Sequence, residues 1–549
     1  DIPGDVDVVA HCRGVETGQK DLSAMLQAMS PMLARQAQGA LQQGIDQVRN
    51  RYGQASVESP FLAAAEFPAE GGPPSVVILL ASDDYSSTLK ALAGPGGKPE
   101  PKAQPDGYDT IVDQDGTTYY TLKKEGYVAF SPTDPFLLRS MIKLDGQALD
   151  ARLSPEIRDQ LLGGDIGLYA NIADLQQKYA DQIDAARQQF MAALDQAQAQ
   201  MQNNQMKWAK EFYGRMFDSL KSGQSLAVHV DFDPRGFDLS GLVSLKPGPA
   251  AEVLKTAKTG DAALLGKLPP GSLAYVYMNV DPSMIEYFQS MNFGAMDPDF
   301  KENAEYKAAV ENMRAVGHQE SFGAMTFTNG MNGITITRPE HPEKVLEGTK
   351  QMLQATKSSK FVKDMKITPR AETYKGIDFT HSEVTFDLDK LVEQQGGNPA
   401  GESVMKTMFT DGKLQTWTGV GDELTYSVIA SSWDDARKKL DTVLGDGAGI
   451  GQTEGFQAIR SQLPEKLTFV FLLQSQGMVQ MMASLMSSMG NANLQPPADL
   501  PEAPAFFGGS LSASPAGYRF DFVVPSANGP VFEKGLIPLF QAMQGQVNQ

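Results

Sequence analysis

Short apolar runs of strand length alternate along the chain with longer stretches in which apolar residues recur every three or four positions. Val76–Ala81 and Leu467–Leu473 are the strongest short runs, and neither approaches the ~20 apolar residues that a membrane-spanning helix needs. The longer spacing over Gln19–Tyr52 and Ile172–Leu220 predicts two long helices, both rich in Gln and Ala. The pattern therefore predicts strands and amphipathic helices without a membrane span.

One strand-like segment recurs, each time ending near a proline and leading into a helical pattern. It occupies Leu239–Leu254 and Gly333–Leu346, with weaker copies at Val76–Leu89 and Phe520–Leu536. Proline ends a strand because it lacks a ladder N–H, and a second proline suits the first turn of a helix. We expect each copy to be a strand followed by a helix.

Two further units also recur. A strand that leads through Ser into a helix occurs at Gly126–Asp134 and Leu424–Asp434, where Ser and Asp side chains can cap helix amides. A strand after a Pro-containing turn opens both Ile2–Ala10 and Leu268–Met278. These repeats predict that the chain from about Leu268 onward approximately repeats the part before it.

Short turns favour antiparallel pairing of neighbouring strands. Asp113–Gly116, between Thr110–Val112 and Thr117–Leu122, has the chemistry of a hairpin turn. We therefore predict an α+β fold of two related halves, each an antiparallel or mixed sheet with helices packed on one face, together with the long Gln/Ala-rich helices. The Pro/Gly-rich segment Ala93–Gly107 is predicted to be a mobile loop.

The predicted domain boundaries follow from these repeats. The first half comprises an α+β unit and then a helix-rich unit, and the second half comprises an α+β unit and a C-terminal α+β unit: 1–150, 151–262, 263–450 and 451–549.

Three of these patterns together resemble a known family. The opening Leu268–Val276, the strand–Pro–helix unit Gly333–Leu346 and the strand-to-helix unit Tyr127–Leu138 are similar to those of a family of uncharacterised exported bacterial proteins, a domain of unknown function that is often tandem. The resemblance implies export behind a signal peptide or lipoprotein leader and a repeated α+β domain. It implies no catalytic residues. The helical stretch Ile172–Leu220 departs from the family pattern.

The net charge and the cysteine content limit which partners the protein can bind and in which cellular compartment we expect it. The net charge is −19, which disfavours nucleic acid and anionic membrane surfaces as partners. Cys12 is the single cysteine, so no intramolecular disulfide forms, and we expect a buried, inert thiol. Low cysteine usage and the start at Asp1 favour a periplasmic or extracellular protein, and a lipid anchor before Asp1 stays open.

No catalytic motif stands out. Gly260–Lys267 superficially resembles a phosphate-binding loop, but Leu268 follows where Ser or Thr is needed and a strand comes next. His11 and His229 each lie in a strand and could meet on one sheet as an acid–base or metal site, but solitary strand histidines are more often structural. We predict no cofactor and no metal, and we favour a protein that is not an enzyme.

Methionine and aromatic residues supply the candidate binding surface. Met478, Met481, Met482, Met486 and Met489 share one face of a predicted helix, and a second set comprises Met206, Trp208, Phe212 and Met216. Such a face is most often core filler, because the thioether adapts to irregular gaps. It could also be an apolar groove for a lipid or partner helix, or a Cu(I) site, which the absence of nearby His or Cys disfavours.

These observations leave three hypotheses for function. The first is a non-enzymatic exported protein that serves binding or scaffolding in the bacterial cell envelope through a protein partner. The second is a carrier of a lipid or other hydrophobic ligand, since a curved sheet under helices can enclose an apolar cavity. The third is an enzyme with an unrecognised site.

Overall fold

A computed structural model describes most of the chain and divides it into two compact units. The described residues are 2–52, 55–94, 96–143, 148–201, 213–214, 217, 221–248, 251–252, 257–282, 303–327, 330–394, 402, 405–406, 408–445, 447–488, 499–514 and 517–539. Unit 1 comprises Asp1–Ala186, Ser219–Ala251 and Ala516–Phe522, and unit 2 comprises Arg187–Asp218, Glu252–Pro515 and Val523–Gln549. Helices and antiparallel strands are both abundant, so the α+β class is confirmed.

Unit 1 is built on an antiparallel sheet. Its strands are β1 (Val8–Cys12), β2 (Phe61–Glu66), β3 (Ser75–Ala81), β4 (Lys98–Ala103), β5 (Asp109–Val112), β6 (Thr118–Lys124), β7 (Tyr127–Ser131), β8 (Ile166–Ala170), β9 (Gly223–Asp233) and β10 (Gly236–Leu245). Neighbouring strands follow the order β4-β5-β6-β7-β3-β2-β1-β8-β9-β10. Strand β8 is therefore flanked by β1 and β9 on its two sides.

The helices before β9 are α1 (Val15–Met29), α2 (Pro31–Tyr52), α3 (Ala55–Glu58), α4 (Tyr85–Ala93), α5 (Phe136–Ile142), α6 (Leu149–Arg152), α7 (Pro155–Leu162), α8 (Ile172–Lys178) and α9 (Ala180–Met201). The stretch Gln19–Tyr52, predicted to be one helix, is divided between α1 and α2. Ser30 adopts an extended conformation between them, because a residue before proline is disfavoured in the helical region.

Helices of unit 1 pack on both faces of its sheet, so the prediction of one covered face is wrong. Leu79 of β3 lies in a core cluster with Leu137 of α5. The next residue, Leu80, lies in a different cluster with Leu89 of α4. Successive strand residues point to opposite faces, and the continuous apolar run Val76–Ala81 lets β3 be covered on both.

Unit 2 is also built on antiparallel strands. Its strands are β11 (Ala274–Val280), β12 (Gln319–Thr326), β13 (Asn332–Pro339), β14 (Val362–Tyr374), β15 (Ile377–Phe386), β16 (Lys413–Val420), β17 (Thr425–Ile429), β18 (Phe469–Gln474) and β19 (Phe506–Ser514). Their order is β14-β15-β16-β17-β13-β12-β11-β18-β19. The last strand of the chain, β20 (Gly517–Pro525), is divided between the two units.

The helices that follow β11 are α10 (Ala304–Arg314), α11 (Pro342–Thr356), α12 (Leu388–Gln394), α13 (Trp433–Leu444), α14 (Glu454–Arg460), α15 (Ser475–Ser488) and α16 (Gly529–Val531). The largest core cluster of unit 2 contains Tyr275, Tyr277, Phe322, Phe379 and Trp417. These aromatic side chains bury large areas and dominate the stability of the unit.

Local predictions from turn chemistry gave mixed results. The hairpin at Asp113–Gly116 is confirmed, since β5 pairs with β6 and Gly116 has φ 82°. The strand–Pro–helix unit is confirmed at β13, which ends at Pro339 and leads into α11 with Pro342 in its first turn. The predicted loop Ala93–Gly107 is wrong, because it contains β4. This exposed strand pairs with β5 alone among the described strands, and an edge strand of this kind tolerates proline.

Candidate functional site

A row of four residues crosses the sheet of unit 1. His11 of β1 lies opposite Gly167 of β8, Gly167 opposite His229 of β9, and His229 opposite Ser240 of β10. Directly opposite residues project to the same face of a sheet, so both imidazoles lie on one face. They are two strands apart, about 10 Å between backbones.

Helix α7 lies close against this row. A Cβ atom at Gly167 would lie 1.7 Å from the carbonyl oxygen of Leu161, so only glycine fits there. The His229 Nδ1 atom lies 3.1 Å from the carbonyl oxygen of Gln160. Because a carbonyl only accepts, Nδ1 carries a proton and donates it, which fixes the ring orientation of His229.

Several carboxylates lie on the same face of the sheet, two residues along the strands from the row that contains His229. Asp231 of β9 lies opposite Asp238 of β10. Asp165, just before β8, is fully buried and accepts hydrogen bonds from Arg13 Nη2 at 2.6 Å and from the Phe232 N–H at 2.8 Å. The charge of Asp165 is therefore compensated by a guanidinium and a backbone donor.

A second compensated carboxylate, Asp521 of β20, lies beside Asp238. Ser240 Oγ donates to Asp521 Oδ1 at 2.9 Å, and Arg519 Nη2 lies 2.7 Å from the same oxygen. Asp238 itself has a buried Oδ1 without a hydrogen-bond partner among the described residues. Burial, and then the negative charge of Asp521, raise the pKa of Asp238 to about 6.

The environments of Asp231 and His11 favour their neutral forms. Burial, and then the charge of Asp165, raise the pKa of Asp231. Burial, and then the positive charge of Arg13, lower the pKa of His11, whose Nδ1 is buried without a partner among the described atoms. Asp165, Asp231, Asp238 and Asp521 are called the carboxylate cluster below.

The two histidines and the carboxylate cluster share one face of the sheet. Within the described parts of the chain, no group of three or more His, Cys, Asp or Glu side chains has a geometry that could hold a metal ion. Gly167 and the end of α7 lie between the two imidazoles, so His11 and His229 share a face but not a hydrogen bond. What the cluster can do is bind and release protons.

The opposite face of this part of the sheet is apolar and open. Ile166 and Leu168 alternate with the buried residues Gly167 and Tyr169 along β8, and they are 48% and 42% exposed. Beside them, half-buried, lie Ala10 and Cys12 of β1 and Val228 and Val230 of β9. The exposed pair Ile166 and Leu168 is called the β8 face.

Cys12 differs from the prediction of a buried thiol. It projects to the same side as Ile166, which lies opposite it, and it is half-buried without a disulfide partner. Burial is the main cause that raises the pKa of the Cys12 thiol, which keeps it in the unreactive protonated form.

Unit 2 has a similar apolar face. Phe469, Phe471 and Leu473 alternate with the buried residues Val470 and Leu472 along β18. Exposed Leu511 of β19 lies opposite Phe469. On the other side of β18, Ala274 of β11 lies between Leu473 and the exposed Met325 of β12, because it is paired with both. Phe469, Phe471 and Leu473 are called the β18 face.

Three of the predicted methionines on helix α15 differ in how far their side chains are buried. Met482 packs against a core cluster that contains Val479 and Ala483. Met481 is 45% exposed, and Met478 is partly buried. Met486 lies in α15, but its side chain is outside the description, and Met206, Trp208, Phe212, Met216 and Met489 lie outside the described residues altogether.

Sequence reasoning singled out His11 and His229, but it missed Asp165, Asp238 and the β8 face. The alternation of Ile166, Gly167 and Leu168 was the available signal, since apolar residues two apart point to one side of a strand.

No helix among the described residues is long and apolar enough to cross a membrane. No family model, no curated protein and no solved structure matches this chain.

Proposed function

We propose that this chain is a non-enzymatic, exported binding protein of the bacterial cell envelope, and that its β8 face and β18 face bind an apolar surface of a protein partner. The observation that carries the proposal is the exposure of Ile166 and Leu168 on an interior strand of a sheet. Single exposed apolar residues are common, but a contiguous apolar patch marks an interaction site.

Internal repetition supports two equivalent binding faces. Each of the eight pairs of neighbouring strands among β1–β9 has a counterpart among β11–β19, in which both strand numbers are higher by ten. The pair β1–β8, for example, corresponds to β11–β18. We infer that the two halves are copies of one unit. Strand β8 then corresponds to β18, so the two apolar faces occupy equivalent positions.

The position of these strands indicates how a partner binds. Strands β8 and β18 are paired on both sides, so they offer no free backbone edge for an added strand. A partner would pack an apolar helix or sheet against their side chains. The net charge of −19 disfavours an anionic lipid surface in that role.

Two further features fit the proposal. The half-buried Cys12 thiol has no second cysteine to pair with, which suits export into an oxidising compartment. The exposed Met481 gives unit 2 a further apolar side chain on its surface, and this side chain is flexible enough to adapt to varied contacts.

Site-specific photo-crosslinking in the source cells tests the proposal. A photoreactive residue at Leu168 should give one discrete protein adduct, because the β8 face is covered by the partner. The same residue at Leu162, which is equally exposed but lies on α7, should give no such adduct. The adduct from Leu168 should also disappear when Ile166 is changed to Asp.

Two outcomes would contradict the proposal. Equal labelling from Leu168 and Leu162 would mean that the adduct reflects exposure alone. A lipid adduct at Leu168, together with a co-purifying lipid in native mass spectrometry, would instead support the carrier of a hydrophobic ligand.

A further inference from the structure

We propose that the carboxylate cluster is a proton-responsive clasp on the β9–β10 hairpin. One proton bound at Asp238 stabilises the pairing of β9 with β10 in mildly acidic solution, and release of this proton near neutral pH destabilises the pairing. The inference is independent of the proposed partner binding. It concerns the opposite face of the sheet.

The register of the hairpin places two carboxylates directly opposite each other. Asp231 and Asp238 are cross-strand neighbours, and like charges in this position destabilise a strand pair. Ser240, two residues further along β10, binds Asp521, so a third carboxylate lies against Asp238. Three carboxyl groups therefore meet close to the turn of the hairpin.

The basic groups nearby do not neutralise Asp238. Arg519 is engaged by Asp521, and Arg13 is engaged by Asp165 and by Asp21 of α1. Arg13 is also 3.9 Å from Asp231. The buried Asp238 Oδ1 has no partner among the described residues, so a proton there would turn an unmatched acceptor into a donor for a neighbouring carboxylate.

The imidazoles of His11 and His229 are further titratable groups on this face, which also carries Asp233. His229 contributes to the electrostatic environment of Asp238 and is held by the Gln160 carbonyl. His11 lies two strands away and has a lowered pKa because of burial and Arg13. An imidazole that stays neutral in the fold makes the protein less stable as pH falls, so His11 acts in the opposite sense to Asp238.

The expected sign for Asp238 follows from its raised pKa. The unfolded side chain titrates near pH ~3.9 and the folded one at about 6. The folded state therefore binds more protons between these values, and its stability falls as pH rises from about 4 to about 6. The stabilising contribution is complete below about pH 4.

Hydrogen exchange measured by mass spectrometry on the full chain tests the clasp. Exchange is compared at about pH 4.5 and about pH 7.5 after correction for the intrinsic pH dependence of amide exchange. Amides of β9 and β10 in the wild type should be about tenfold better protected at the lower pH. In Asp238→Asn, most of this pH dependence should be lost, and protection at about pH 7.5 should approach that of the acidic wild type.

Asp115→Asn is the matched control, because Asp115 is exposed in the β5–β6 turn. It should keep the pH dependence of the wild type. An unchanged protection of β9 and β10 across pH in the wild type would overturn the proposal, as would an unaltered pH dependence in Asp238→Asn. If that variant does not fold, Asp231→Asn serves instead, since removing its charge should weaken the dependence.

Discussion

Replacing Gly167 by Ala should destabilise unit 1 by about 3 kcal/mol, at the upper end of the usual cost of overpacking. The added Cβ would lie 1.7 Å from the carbonyl oxygen of Leu161. That atom belongs to the backbone of α7, so no side-chain rotation relieves the clash, and the helix must move off the sheet. Hydrogen exchange of β1, β8 and β9 in increasing urea should show the loss of protection.

Gly39→Ala is the control for this change. Gly39 lies within α2, and nothing lies within 4 Å of a Cβ built there. The same substitution should leave unit 1 unchanged or stabilise it by about 0.5–1 kcal/mol, because Ala favours a helix over Gly. Equal protection in Gly167→Ala and the wild type would mean that α7 does not lie against β8 as described.

Phe322→Ala should destabilise unit 2 by about 3–5 kcal/mol. Phe322 is almost completely buried, and its ring lies 5.1 Å from that of Tyr277. Removal of the ring leaves a cavity in the cluster that also contains Trp417. Tryptophan fluorescence in increasing urea therefore reports the expected lower midpoint.

Phe136→Ala provides the comparison for Phe322. Phe136 begins α5 and is about half exposed, so its removal should cost less than about 1 kcal/mol. The two variants differ in burial and share the same chemical change. Similar midpoints for both variants would show that the Phe322 ring is not part of a packed core.

The repeats along the sequence predicted the strand openings well. The segments Ile2–Ala10 and Leu268–Met278 lead into β1 and β11, because Pro and Gly before an apolar alternation mark a strand start whatever the tertiary context. The predicted loop over Ala93–Gly107 failed for a tertiary reason. An edge strand such as β4 gains its pairing from β5 and needs no apolar face, so its composition resembles that of a loop.

The carboxylate cluster depends on long-range order that local patterns do not encode. Arg13, Asp165 and Asp231 meet only because β8 lies between β1 and β9. Each of these residues, taken alone, is of a charged type that is common in exposed turns and at strand ends. The β8 face was more accessible to prediction, but its exposure depends on which helices cover the sheet.

The central claim is that the equivalent apolar faces of β8 and β18 carry binding. The direct test is the affinity of the captured partner for the wild type and for Leu168→Asp, Phe471→Asp and Leu346→Asp. Leu346 lies at an exposed position of helix α11. We predict that each of the first two substitutions weakens binding about tenfold or more and that Leu346→Asp has no effect. Unchanged affinity in both Leu168→Asp and Phe471→Asp, with both variants folded, would contradict the account.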